Sequence, residues 1–463
     1  MVSSVFMITL GTKTGLALGL AVIALPVALY VAITRPILFP VGLYVVLIPF
    51  DNLLSISSWG TLTRLVAICS GLAVAFWAVR KRQILPLRRP VVLWGLFILW
   101  AAATFSWALD LSPYAQASLA TLVQLYLLYA ALSLIPITDR DLNSIFLCVI
   151  FGAVAAAAFG LYLYTHGMAN YGGRLYINLG ATSSHTLSQD RINPNAFAAA
   201  LLLPMSLTLM QFLSARRLWG KVAWSSLTLL LLTAMVASGS RGSLLAVACI
   251  VAFFLWKSRY RMQLLPIVIC GAIGSLFVTS IWERFSTALS TGGAGRLSIW
   301  MVGMQAFKKY WLLGAGLGNF QDAYDRAYIS VYQQINAHWS RPAHNIILGA
   351  AVELGVIGLT ILLFAWFSQY KILSTNDKHN AYYDVAIALQ GALVGSFVAS
   401  LFSDSMYDKY TWLVFMLTML TAGRIAQSSR ISTGSLVSVR STVVANPTLA
   451  PARTPIQDLQ LRR

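Results

Sequence analysis

Apolar stretches of about 15–25 residues recur along almost the whole chain, each close to the length an α-helix needs to cross about 30 Å of hydrocarbon. No water reaches that layer, so every backbone N–H and C=O must be satisfied within the chain, which leaves helices or a closed barrel. Runs of this length without strict two-residue alternation read as helices. The expected fold is therefore all-α: a polytopic membrane helix bundle of about 12 transmembrane helices. Charged residues are only 10% of the 463 positions and hydrophobic ones 58%, whereas a water-soluble domain carries about 25% charged residues.

The first apolar region, Thr14–Phe50, is interrupted at Thr34-Arg35-Pro36 and holds one span or two. Further spans are expected near 62–79, 91–108, 115–135, 143–164, 193–213, 222–237, 242–256, 263–281, 345–370, 385–401 and 410–422. Two long connections remain, about 165–192 and about 282–343. Residues 1–426 thus read as one membrane domain. The Ser/Thr/Pro/Arg-rich segment 427–463 has too little apolar surface to offset ordering and reads as a disordered cytoplasmic tail. Met1–Leu10 lacks a basic n-region, so anchoring is expected from the chain's own spans.

A net charge of +19 raises the question of nucleic acid, but the positive residues sit in short clusters between spans. Arg80-Lys81-Arg82 with Arg88-Arg89, Arg216-Arg217 with Lys221, and Lys257 with Arg259 and Arg261 are separated by even numbers of spans. All fall on one side, as does Arg424, and such clusters mark cytoplasmic loops. The charge is a topology signal, and no nucleic-acid partner is expected. The long connections 165–192 and 282–343 fall on the opposite side. Cys69, Cys148, Cys249 and Cys270 lie inside apolar runs without metal-ligand spacing, so no metal is expected there.

The second long loop carries the chemistry-bearing residues. It contains Gly295-Arg296 with Trp300, then Gly314, Gly316 and Gly318 in a Gly-x-Gly-x-Gly run, then Arg341-Pro342-Ala343-His344-Asn345. The next span carries Glu353, Gly355 and Gly358. The glycine run follows no predicted strand, so it is no dinucleotide fingerprint; a tight turn between two short helices is expected. Glycine-rich backbone beside Arg296 can approach an anion closely, and a guanidinium makes paired charge-assisted bonds to phosphate. Arg241, at the outer end of a span, and Arg191, opening another after the first long loop, face the same side. A charge at such a position is costly unless it has a task. Arg174 is a reserve for the same task, although as a residue of the first long loop it reads first as an ordinary loop charge. An imidazole at the membrane edge, His344, is suited to proton transfer near neutral pH. His338 and Arg341 on the same loop are reserves. Asp322 and Asp325 read as the polar face of a short helix, and the shortage of carboxylates argues against a metal-dependent transferase.

The Gly-Arg-x-x-x-Trp element, the glycine run and His344-Asn345-x9-Gly355-x-x-Gly358 together resemble the shared domain of O-antigen ligases and polymerases. Ser240-Arg241-Gly242 and Arg191-Ile192-Asn193-Pro194-Asn195 add to it, so that the likeness extends over about 191–358. The resemblance implies a glycosyltransferase of the bacterial inner membrane with its active site facing the periplasm. Its donor is then a glycan on undecaprenyl diphosphate and its acceptor the lipid A-core of lipopolysaccharide. Arg191, Arg241 and Arg296 are expected to hold the diphosphate and His344 to act as base, without metal or other cofactor and with inversion. An O-antigen polymerase shares these elements, and a protein-glycosylating oligosaccharyltransferase is a further relative; the His-Asn spacing favours a ligase. A lipid-linked glycan transporter would distribute charges within several spans on an access path, whereas here they concentrate in outer loops.

Overall fold

A computed structural model describes residues 29–56, 60–168, 170–171, 174–175, 194–275, 286, 296–331, 342–374, 380–403 and 405–445. The helices in chain order are α1 Gly42–Leu47, α2 Leu62–Lys81, α3 Arg89–Ala103, α4 Pro113–Ser133, α5 Asp139–Thr165, α6 Pro194–Ala200 and α7 Leu202–Ser214. They continue with α8 Leu218–Ser238, α9 Arg241–Lys257, α10 Arg261–Ser275, α11 Arg296–Tyr310, α12 Phe320–Tyr328, α13 Ile346–Lys371, α14 Tyr383–Ser400 and α15 Lys409–Ala445. Two minimal hairpins pair Ser55–Ile56 with Gly60–Thr61 and Asn170–Tyr171 with Arg174–Leu175. The fold is an all-α polytopic bundle. Among the described residues eight helical segments are long and apolar enough to cross a membrane, and α9 and α10 are shorter apolar helices. The last helix is continuous across Gln427 to Ala445, and residues 446–463 lie outside the described ones.

The solvent of this bundle is legible in α2. Its exposed face is large and apolar (Leu65, Ile68, Leu72, Phe76, Val79), while its buried face is small (Thr63, Ala67, Ser70, Val74, Ala78). Lipid gives no hydrophobic reward for hiding leucine, so helices meet through small residues that allow close approach. The same rule joins α9 to α14. A Cβ on Gly391 would lie 2.6 Å from the Phe254 ring, and one on Gly395 2.6 Å from Ile250. This Gly-x-x-x-Gly face lets α9 run tightly along α14. At the centre, Trp94, Tyr129, Trp366, Trp412 and Phe415 interlock, with ring centroids 4.8 Å apart for Trp94–Phe415 and 5.0 Å for Trp366–Phe415. Buried Gln369 is satisfied there, accepting from Tyr129 Oη at 2.9 Å and donating to the Phe415 carbonyl at 2.7 Å.

The two ends of the bundle separate as the charge clusters require. At one end Arg259 pairs with Asp384, and Arg424 with Asp139 at 2.8 Å, joining the basic loops. At the other end Arg174 donates to the Ser238 carbonyl, and Phe402 lies against Arg296. A small second core (Ile299, Val302, Phe320, Tyr324, Leu348, Val352) unites α11 and α12 with the top of α13 as a layer over that end.

The start of α15 is tied to the first described segment by a buried ion pair. Lys409 Nζ lies 2.6 Å from Asp51 Oδ2 and donates to Thr63 Oγ1 at 2.8 Å, while Thr63 also donates to Asp51. Asp51 is fully buried and Lys409 is 5% exposed. Breaking one partner of such a pair leaves an uncompensated charge. Lys409→Met should therefore cost about 3–5 kcal/mol, and Asp51→Leu/Lys409→Met should recover most of it. Unfolding of the single and double variants in one detergent measures this; a double variant no better than the single one would mean that the charges are not coupled.

Candidate active site

A compressed turn sets the position of Arg241. Helix α8 ends at Gly239 in the left-handed region (φ 61°), and the Ser240 hydroxyl then caps α9 by accepting from the Ser243 N–H. Ser240 also donates to the Ser243 hydroxyl at 3.0 Å. Arg241 is thus the first residue of α9, half-buried at the outer end of the glycine-mediated α9–α14 pair. Gly242 has no room for a side chain, since a Cβ would lie 2.9 Å from Phe402. Phe402, just beyond α14, in turn stands under Arg296, its ring centroid 5.9 Å from the guanidinium carbon. Burial, and after it the charge of Arg241, hold the Arg296 guanidinium below its ordinary basicity. Two half-buried arginines from separate loops therefore share one site. Like charges so placed repel each other, and a bound anion is the kind of group that would offset that repulsion.

Helix α11 links this pair to the histidine. Arg296 opens it, and Trp300, one turn and about 6 Å further along the axis, donates its indole N–H to the Ala343 carbonyl at 3.2 Å. His344 follows at once and carries φ 47°, a conformation uncommon for a residue with a side chain. Asn345 then caps α13, its side-chain oxygen accepting from the N–H groups of Ile347 (2.9 Å) and Leu348 (3.1 Å). Anchored residues before and after it hold the strained His344 backbone in place.

The glycine run and the Gly355 segment, far apart in sequence, form one latch. Gly355 (φ 67°, ψ −175°) breaks α13 and frees carbonyls from the helical ladder. Ala315 N–H reaches the Val352 carbonyl (2.8 Å), Gly316 N–H that of Glu353 (2.9 Å), and the Trp100 indole N–H that of Leu354 (2.9 Å). In return Val356 N–H reaches the Trp311 carbonyl at 2.8 Å. At Gly314 (φ 84°) a Cβ would sit 2.2 Å from the Glu353 carbonyl oxygen, so only glycine permits this approach. The buried Glu353 carboxylate accepts from the N–H groups of Gly318 (2.9 Å) and Phe320 (3.3 Å), fixing the exit of the turn into α12. The break lies about 24 Å of helix from Lys371, within a helix long and apolar enough to cross a membrane. Exposed Trp311, Leu312 and Leu313 beside it are apolar, as contact with lipid demands.

The structure thus brings Arg241, Arg296 and His344 to one end of the bundle. Arg191, His338 and Arg341 lie outside the described residues. Asp322 and Asp325 sit on α12, where burial and then Asp110 raise the Asp322 carboxyl above the ordinary carboxylate range. Three features escape the sequence reading. Phe402, which packs on both Gly242 and Arg296, belongs to a short loop without a motif. Arg174, read as a loop charge, donates to the Ser238 carbonyl (2.8 Å) and to Asn195 Oδ1 (2.9 Å), bracing the Arg241 turn. Glu353 is a structural acceptor for the glycine turn. Glu353→Ala strands two buried N–H groups, at about 1–3 kcal/mol each, and Glu353→Gln, which keeps one acceptor, should fall between Ala and the parent. Thermal unfolding in detergent reads that order, and an Ala variant melting with the parent would remove the latch role.

No curated protein matches the chain. A family model does match part of it, and the matched stretch begins within α8, includes the Arg241 turn, α11 and the glycine latch, and ends just beyond the break in α13. Residues 226–363 match the family described as O-antigen ligase.

Proposed function

We propose that the chain is an O-antigen ligase, transferring a glycan from undecaprenyl diphosphate to the lipid A-core of lipopolysaccharide at the periplasmic side of the inner membrane. The observation that carries this reading is the pairing of Arg241 with Arg296 at the end of α11, whose Trp300 anchors the His344 segment. The family match over 226–363 supports a lipid-linked glycan as substrate. The clustering of positive loops at the opposite end supports a cytoplasmic placement for that end and a periplasmic one for the site.

In the proposed reaction the arginines, with Arg191, bind the donor diphosphate and stabilise the charge that grows on it as it leaves. The acceptor hydroxyl oxygen attacks the anomeric carbon from the face opposite the diphosphate. The new C–O bond forms as the carbon–phosphate oxygen bond breaks, its electron pair departing with the diphosphate, and the configuration inverts. A ring nitrogen of His344 takes the hydroxyl proton. The arginines perform the electrostatic task that other transferases give to a divalent ion, so activity is expected to persist in excess EDTA.

The test is purified protein incubated with lipid-linked glycan, with and without lipid A-core. Glycan-bearing core supports the ligase; a ladder of longer lipid-linked glycan formed without core would assign a polymerase. Within that assay the residues separate by role. Arg296→Lys keeps a charge but loses the planar fork, and Arg241→Ala removes a donor. Each should cost about a hundred- to thousandfold in single-turnover rate. His344→Ala should lower turnover by about a hundred- to ten-thousandfold and leave donor binding nearly intact. Parent-like turnover in that variant would shift attention to His338, and weak donor binding would place His344 in the diphosphate clamp.

A further inference from the structure

Two basic loops that the proposed reaction does not use meet at one cavity on the opposite end of the bundle. Arg216 lies in the turn between α7 and α8, and Lys221 in the first turn of α8. Arg259 and Tyr260 lie in the turn between α9 and α10, with Gln263 in the first turn of α10. With Leu213–Ala215 these residues line an open cavity of about 530 Å³, the size of a site for a polyatomic group rather than a bare ion. Arg259 is bound to Asp384, whereas among the described residues neither Arg216 nor Lys221 meets a carboxylate. Arg216, Lys221 and Arg259 set against Asp384 leave an excess of two positive charges. The start of α8 adds to it, because its first N–H groups have no side-chain cap.

The surroundings name the kind of anion. Trp219 and Trp256, two and three residues along the chain from the cavity-lining Lys221 and Arg259, are 83% and 71% exposed, and Met262 and Leu218 are exposed as well. Bulky apolar side chains do not stand free in water at that density, and tryptophan is the residue of the membrane interface. A positive pocket with an apolar rim at headgroup depth matches a molecule that carries phosphate and acyl chains together. Positive loop residues alone would report only orientation; here residues of two separate loops line a single open cavity.

We propose that this cavity seats the phosphate-bearing headgroup of an anionic phospholipid, with its acyl chains against Trp219, Trp256 and Met262, so that one lipid bridges the α7–α8 and α9–α10 turns. The site is independent of the transfer reaction, and binding to the purified protein does not depend on which way the chain is inserted.

The protein in detergent is titrated with phosphatidylglycerol or with phosphatidylcholine of the same acyl chains, and bound lipid is counted by native mass spectrometry. Phosphatidylglycerol should bind in preference. Arg216→Gln/Lys221→Gln should weaken it about thirtyfold, each basic side chain near an anionic headgroup contributing about fivefold. Arg80→Gln/Lys81→Gln removes equal charge from the same end away from the cavity and should change binding by less than about twofold. Equal loss in both double variants would reduce the effect to general surface charge and overturn the site. So would phosphatidylcholine binding as tightly, or millimolar inorganic phosphate displacing the lipid, which would mark a site for free phosphate. The lipid comparison and the phosphate competition need only the parent protein, so they decide the matter even if the cavity variant fails to fold.

Discussion

A helix broken inside a membrane must find partners for the carbonyls it releases, and that requirement at Gly355 organises the outer half of this protein. The carbonyls of Val352, Glu353 and Leu354 are claimed by Ala315, Gly316 and Trp100. Only a chain without side chains at Gly314 comes close enough to supply such donors. Once the glycine turn is held there, α11 must end and α12 begin at that place, and the first residue of α11 is Arg296. The turn and the two helices that flank it are thus positioned by hydrogen-bond satisfaction, since a buried backbone group left without a partner costs about 1–3 kcal/mol. The latch sets where α11 ends, and α11 carries both Arg296 and the Trp300 that holds the Ala343 carbonyl next to His344.

A second layer of positioning comes from packing between helices. Gly391 and Gly395 draw α9 against α14, which brings Arg241 at the tip of one beside Phe402 just beyond the other. Arg174 braces the turn before Arg241 from the first outer loop. Two guanidinium groups are then held half-buried, and the charge of Arg241 adds to burial in lowering the basicity of Arg296.

Much of this was legible in the sequence. Span length and charge clusters gave the all-α membrane class, and the pairings Arg259–Asp384 and Arg424–Asp139 gather the basic loops at one end as their even spacing required. The spacing from His344 to Gly355 and Gly358 marked a functional segment but not its mechanics. A hydropathy reading runs straight through Gly355, because a break in a helix changes φ and ψ at one residue and leaves the apolar pattern intact. Arg174 was undervalued for a similar reason: its partners are a carbonyl and an amide side chain, which no charge count registers. The Gly-x-x-x-Gly face of α14 is visible in the sequence as Gly391 and Gly395, but the pattern does not say which helix packs on it. Phe402 had none, since its importance rests on what two distant segments place on either side of it.

The Asp51–Lys409 pair has a consequence for how the protein is made. Its partners are separated by 358 positions in the chain. At synthesis rates of about 5–20 residues per second, the carboxylate precedes its ammonium by roughly 20–70 s. Throughout that interval the early segments can neither bury Asp51 as an anion cheaply nor complete their packing around it. The contact around Asp51 therefore stays incomplete until the helix that begins at Lys409 enters beside it. Arrival of Lys409 supplies the countercharge, so this link between the first described segment and α15 is one that only a nearly finished chain can make.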